Sequence, residues 1–387
     1  MSFIPYARQS INEEDIEAVV SVLRSDWITQ GPVIEKFERA VANYCGAKYA
    51  VAVSSGTAAL HIACLAAGLG AGDILWTSPN TFVASVNCAL YCEAKPDFID
   101  IDPLTYNLSA EELRIKLAKA EKDRKLPTIV IPVHFAGQSC DMEQIHELSD
   151  KYEFMVIEDA CHALGGSYKK AKIGSCEFSD MTVLSFHPVK LITTGEGGMI
   201  LTNNKELYQK LVSLRTHGIT RDSALMEGKS HGPWYYQQIS LGYNYRITDI
   251  QAALGLSQMK RLDEFIHRRH FLAKRYNEAL ESLSITLPWQ HHDSYSAYHL
   301  YVIRLNLDQI KKTRRQIFEE LCSKGIGVNL HYIPVHTQPY YKKLGFMLGD
   351  FPKAEAYYEE AMSLPMYYEL TEEDQDRVIT ALKEVIQ

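Results

Sequence analysis

The stretch KYAVAVSSGTAALHIACLAAG, Lys48 to Gly68, decides how this chain folds. Its first part, YAVAV, is a short apolar run without polar alternation, the mark of a strand covered on both faces. Ser54, Ser55 and Gly56 then turn the chain through small residues. TAALHIACLAAG is apolar nearly all round, so it predicts a buried helix, and Gly68 ends it. A strand feeding a buried helix through a short turn is half of the unit that builds parallel sheets.

Outward from this unit the pattern repeats. DILWTS (73–78), DFIDID (97–102), TIVIPVHF (128–135), FMVIEDA (154–160), MTVLSF (181–186) and GMILTN (198–203) predict strands. TFVASVNCALYC (81–92) and MEQIHELSDKY (142–152) predict helices between them. Upstream, SINEEDIEAVVSVLR predicts a helix opened by a capping box of Ser10 and Glu13. GPVIEKFERAVANYCG predicts another, with Pro32 at its first position and Gly46 just past its end. The result is an α/β domain with a mostly parallel sheet covered on both faces. After Gly242 the character changes: residues 244–283 are helix-rich, and the remainder mixes strands such as YHLYVIRLNL with helices such as RRQIFEELCSKG. The expected division is a large domain over residues 1–255 and a smaller C-terminal α+β domain over 256–387.

Composition narrows the class. At 387 residues, with 46% hydrophobic and 23% charged side chains, the chain has the make-up of an ordinary globular protein. A net charge of −8 gives no pull toward nucleic acid or an anionic membrane. No apolar run approaches the ~18 residues of a bilayer span. MSFIPYARQSINEED lacks the basic and apolar regions of a signal peptide. The eight cysteines form no CxxC pair and sit mostly in apolar segments, as expected of reduced thiols in a cytoplasmic protein. Cys88 and Cys92 lie four apart on one helix with no second ligand pair close in sequence, and HRRH (267–270) predicts a solvated helix face. Neither points to a metal.

Ligands of open α/β sheets bind beyond the carboxyl ends of the strands. SSGTAAL, 54–60, ends a strand and starts a helix, which makes an anion site of exposed N–H groups. It is no P-loop, because the GK[ST] ending is missing, and GLGAG (68–72) follows a helix rather than opening one. In MVIEDACHALGG, 155–166, Glu158 and Asp159 must point to opposite faces of their strand, so one carboxylate faces the site. His162 follows at the turn. In LSFHPVKLITTGEGGM, 184–199, Ser185 and Lys190 follow another strand.

Each of these alone has an ordinary reading: a helix cap, a structural histidine, a solvated lysine. Together they place a lysine, a carboxylate, a phosphate-ready helix start and an aromatic, Phe82, on one edge of one sheet. That set fits pyridoxal phosphate. Lys190 would form the Schiff base and move protons during catalysis. Asp159 would pair with the pyridinium nitrogen, Phe82 would stack on the ring, and Thr57 and Ser185 would hold the phosphate.

The blocks IPYARQSI, SDWITQGPVIEKFE, SSGTAAL, EDACHALGG, SFHPVKLITTGEGG, GYNYRITDIQAALG and GVNLHYIPVH run in order along the whole chain. In these the sequence resembles the sugar aminotransferases of the DegT type, within the fold-type-I pyridoxal phosphate enzymes. The resemblance implies further assignments. Gly56, Thr57 and Ala58 would hold the phosphate with Ser185. His162, where many relatives carry Gln, would face the ring hydroxyl. Asn244 would reach the phosphate of a neighbouring subunit, which implies a homodimer with shared sites. Tyr6, Trp27, Ile28, Thr29, Gln30, His187, Asn329, Leu330, His331 and Tyr332 would line a nucleotide-sugar site. The implied reaction is amination at C4 of a UDP-linked 2-acetamido-2,6-dideoxy-4-keto hexose in pseudaminic acid biosynthesis, with glutamate as amino donor.

Three rivals share the fold. One is the same chemistry on a GDP- or dTDP-linked 4-keto sugar. A second is a sugar dehydratase, whose relatives replace the lysine with histidine; Lys190 argues against it, although His187 lies close by. The third is a non-catalytic regulatory protein, which an intact lysine, aspartate and phosphate site disfavours.

Overall fold

The structure is a computed structural model describing residues 2–386. Seven strands form the main sheet: β1 (Tyr49–Val53), β2 (Ile74–Thr77), β3 (Lys95–Phe98), β4 (Ile129–Ile131), β5 (Met155–Asp159), β6 (Met181–Ser185) and β7 (Gly198–Thr202). Their order across the sheet is β1-β7-β6-β5-β4-β2-β3. β7 runs antiparallel to both neighbours, and the other strand pairs are parallel. The mostly parallel sheet expected from the sequence is therefore present, with GMILTN as its one reversed strand.

The unbroken apolar runs are explained by two buried layers. In β1, Ala50 and Ala52 pack into one hydrophobic cluster with Phe37, while Val51 and Val53 pack into another with Leu60 and Ile62. Alternate side chains thus serve opposite faces, and neither face can be polar. Helices α1 (Glu13–Leu23), α2 (Pro32–Cys45), α3 (Gly56–Ala66) and α4 (Ala84–Tyr91) precede or follow the first strands.

Three local expectations are corrected. α1 is opened by Asn12 and Asp15, not Ser10 and Glu13: Asn12 Oδ1 accepts the Asp15 N–H at 3.0 Å, and Asp15 Oδ2 accepts the Asn12 N–H at 3.1 Å. The chain stays extended past Ser10, whose carbonyl is taken by Gln258. DFIDID is strand only to Phe98, because Asp100 turns aside to cap the helix Pro352–Glu360 through the N–H groups of Lys353 and Ala354. HRRH is a solvated face only in part, with His267 exposed. Arg269 is buried, donating to the carbonyls of Tyr298, His299 and Met366, and the His270 ring sits 2.7 Å from the Ser296 carbonyl.

The C-terminal part builds a small antiparallel sheet of Ile285–Thr286, Tyr301–Leu305 and Ala361–Leu364, with its own core. The long helix Leu262–Leu280 belongs to both cores: Leu262, Phe265 and Ile266 pack on the main sheet's cluster, and Leu272, Ala273, Tyr276 and Leu280 on the C-terminal one. The N-terminus crosses over too, with Ile4 bridged to Ile326 and buried in the C-terminal core.

Candidate active site

The carboxyl ends of β1, β5 and β6 meet at one edge. Ser55 caps α3, its Oγ accepting the Ala58 N–H at 3.1 Å. The N–H groups of Gly56 and Thr57, which among the described residues take no hydrogen-bond partner, remain at the helix start. β7 lies between β1 and β6, so the helix start must pass close over it to reach Ser185. Gly198, the first residue of β7, allows this: a Cβ there would come within 2.4 Å of the Ser55 carbonyl oxygen. At Gly56 a Cβ would stand 3.0 Å from the Ser185 Cβ. Free N–H groups, a helix N-terminus and the Ser185 side chain therefore lie together at one sheet edge, a set of donors suited to a phosphate.

At the end of β5 the two carboxylates part as strand geometry requires. Glu158 is buried against His134 at 2.6 Å and accepts from Ser179 and, at 3.0 Å, from Thr182. These bonds hold its carboxyl below the usual range despite burial. Asp159 points the other way. Its Oδ2 accepts from Ser85 Oγ at 2.6 Å and its Oδ1 from the Cys161 N–H at 3.1 Å. It is buried, and among the described residues it has no ion-pair partner. A buried carboxylate without a cation is a place for a protonated ring nitrogen.

Lys190 follows the turn after β6, its N–H donating to the His187 carbonyl at 2.9 Å. Burial pushes its ammonium down from the usual lysine range, partly offset by Cys161 and Asp159. Three imidazoles stand around it. Burial drives His162 and His299 well below 6.5 and His331 down to about 3, with Lys190 adding to each shift. The His162 and His299 ring centroids are 4.3 Å apart. His162 Nε2 lies 3.1 Å from the Tyr332 hydroxyl, whose proton burial makes harder to remove. His331 Nδ1 lies 2.8 Å from Ser363 Oγ, and its ring is 5.5 Å from that of Tyr6. Asn80 fixes the loop by accepting the Tyr332 N–H at 3.2 Å.

The remaining expected residues lie farther out. Phe82 is 58% exposed, its ring 6.3 Å from Tyr332. Trp27, Ile28, Thr29 and Gln30 form an exposed segment, bridged at Thr29 to Thr248. Asn244 is exposed and bridged to Thr216, and His187 is exposed. Asn329 pairs with Ser363 in both directions. Leu330 lines a separate surface cleft with Phe318, Arg314 and Tyr358. Sequence reasoning missed Thr81, Ser85, Asn80 and His299. Thr81 and Ser85 had one visible signal: two hydroxyls four residues apart where a helix follows a strand end. Nothing local marked His299, which arrives from the C-terminal part.

The donor set at α3, the unpaired Asp159 carboxylate and a partly buried lysine of lowered basicity fit pyridoxal phosphate in phosphate, ring nitrogen and aldehyde respectively. The comparisons agree. The profile of the DegT/DnrJ/EryC1/StrS aminotransferase family matches residues 9–383. The spore coat polysaccharide biosynthesis protein SpsC of Bacillus subtilis is 40% identical over 99% of this chain and 97% of its own. The structure of Helicobacter pylori PseC, an aminotransferase involved in the biosynthesis of pseudoaminic acid, superposes with a TM-score of 0.91 at 28% identity, covering 100% of this chain and 99% of that one. The Streptococcus pneumoniae putative sugar aminotransferase Spr1654, in its PMP form, gives a TM-score of 0.89 at 30% identity over 99% and 98% of the two chains. The chain thus belongs to the DegT/DnrJ/EryC1/StrS aminotransferase family and is a pyridoxal-phosphate-dependent sugar aminotransferase of the fold-type-I architecture.

Proposed function

We propose that this enzyme acts in nucleotide-sugar biosynthesis, moving an amino group from glutamate to the C4 ketone of a UDP-linked 2-acetamido-2,6-dideoxy-4-keto hexose. The observation that carries the substrate is the whole-chain likeness to PseC. The wall of Tyr6, His331 and Tyr332 beside Lys190 supports it, since a sugar needs aromatic faces and neutral hydrogen-bonding groups. The bound cofactor supplies an electron sink for the carbon that loses or gains a proton. The chain's own residues do the rest. Lys190, its basicity lowered by burial, takes the proton from the donor carbon and returns it on the sugar side. Asp159, as a carboxylate, would accept from the ring nitrogen and keep it protonated. Gly56, Thr57, Ala58 and Ser185 would anchor the phosphate, His162 would meet the ring hydroxyl, and Phe82 would cover the ring.

Trp27–Gln30, His187 and Asn329 complete the sugar-nucleotide side, whereas Leu330 faces the separate cleft and is left out of it; Asn244 reaches a second copy's phosphate, so the working unit is a homodimer in the cytoplasm. The exposure of Trp234 (74%) and Leu241 (77%) in the segment before Asn244 supports a covering partner. Among the described residues no helix is long and apolar enough to cross a membrane.

A second reading keeps the chemistry and changes the sugar. SpsC, at 40% identity, is named for spore coat polysaccharide, which favours a different nucleotide-linked 4-keto hexose. Single-turnover amination of UDP-, GDP- and dTDP-linked 4-keto sugars decides between them: the UDP-linked 2-acetamido substrate is expected to react fastest. A faster GDP- or dTDP-linked ketone overturns the UDP assignment and leaves the aminotransferase intact.

A further inference from the structure

Asp159 is held by a chain of hydroxyls. Ser85 Oγ donates to Asp159 Oδ2 at 2.6 Å, and Thr81 Oγ1 lies 2.8 Å from Ser85 Oγ. Thr81 is 2% exposed and Ser85 1%. The direction of the second bond follows from the first. A hydroxyl has one proton, and a carboxylate only accepts. Ser85 has given its proton to Asp159, so Thr81 must donate to Ser85. The two bonds run the same way and polarise each other. Cys161 N–H holds the other carboxylate oxygen at 3.1 Å. Two donors on two oxygens fix the carboxylate's rotation, and its remaining lone pairs stay free for the site.

We propose that Thr81 and Ser85 are positioning residues that lock Asp159 and keep the proton it shares with the cofactor on the ring nitrogen. The proposal rests on the reading of Asp159 as the partner of that nitrogen. Hydrogen bonds donated to a carboxylate favour its charged form. With both hydroxyls present, the pair of carboxylate and protonated ring is favoured over carboxylic acid and neutral ring. Without them the proton moves toward Asp159, and the ring becomes a poorer electron sink.

The test uses enzyme reconstituted with pyridoxal phosphate carrying nitrogen-15 in its ring, whose NMR shift separates protonated from neutral nitrogen. Ser85→Ala is expected to move the ring signal toward the neutral value and to slow amino transfer about tenfold, the loss of one hydrogen bond to a charged group. Thr81→Val should move the signal the same way by less, and Thr81→Ser, which keeps the hydroxyl, should match the unmutated enzyme. A ring signal unchanged in Ser85→Ala, with cofactor bound, overturns the proposal. So does an equal displacement in Thr81→Ser and Thr81→Val, since that would be packing and not the hydroxyl. Asp159→Asn is the reference. If it too leaves the ring signal unmoved, the reading of Asp159 is what has failed.

Discussion

The floor of the site and its mouth are built in opposite ways. On the floor, Asp159, Ser85, Thr81, His162 and His299 are buried and their distances are set by the sheet and α4. Among the residues proposed for its mouth, Trp27, Ile28 and Phe82 are each half or more exposed, as are Trp234 and Leu241 in the segment before Asn244. The contacts among these floor residues are all made within one chain. The mouth leaves apolar side chains in water that a monomer gains nothing by exposing together. The difference teaches where each kind of specificity is kept. On the proposed reading, proton chemistry depends on fixed distances at strand ends, while substrate choice falls to segments that a partner and a ligand can cover.

The sharpest way to break this picture is Lys190→Ala. It should remove the cofactor's visible absorbance band and lower amino transfer by at least ~10²–10⁴-fold, with far-ultraviolet circular dichroism unchanged. Transfer surviving at near-normal rate would move the reaction away from the floor.

Next is a test of whether the mouth needs two chains. Lys190→Ala and Asn244→Ala chains, each inactive alone, should recover activity when mixed and allowed to exchange. Mixed dimers carry one site with both lesions and one with neither, so about a quarter of all sites should work. Mixed dimers shown to form without recovered turnover would make the mouth self-sufficient.

A smaller effect separates the two regions kinetically. Tyr332→Ala should slow the sugar half-reaction by roughly 10–100-fold, as expected for a misplaced reacting carbon, and the glutamate half-reaction much less. Single-turnover spectra read each half separately. Equal losses would put Tyr332 on the floor, acting through its contact with His162.

The smallest expected effect concerns the floor's imidazoles and pH. The folded state keeps His331 neutral down to about 3, whereas an unfolded histidine takes a proton below about 6.5. The unfolded state therefore binds more protons in that window, and stability falls as pH drops through it. His331→Gln should flatten the decline between about pH 6 and 4 by up to ~1.4 kcal/mol per pH unit, read from urea unfolding. An unaltered slope would mean that this imidazole is charged in the folded protein.

Much of the floor was legible in the sequence. YAVAV, MVIED and MTVLS read as strands because both faces of each are buried, so hydrophobicity alone marks them. Asp159 stood out because it closes such a run, and Lys190 because it lies in the turn soon after another. The capping of α1 was misread because Ser10 and Asn12 are both good caps, and only the Gln258 bond to the Ser10 carbonyl shows where the extended chain ends. HRRH was misread for a different reason. A run of four polar residues gives no hint that Arg269 turns inward to bind three carbonyls from two distant segments.

The sequence by itself determined the order of strands and helices, the candidate residues at strand ends and the family, because these follow from local periodicity and from motifs written in continuous stretches. Tertiary structure alone decided three things. It reversed β7 and let Gly198 bring α3 onto Ser185. It set His299 against His162 from 137 residues away. It ran Thr81 and Ser85 into Asp159, 74 residues on from Ser85. The physical reason is common to all three. A hydrogen bond or a close backbone approach depends on distances of a few ångströms, which are fixed only when the two buried layers close on the sheet.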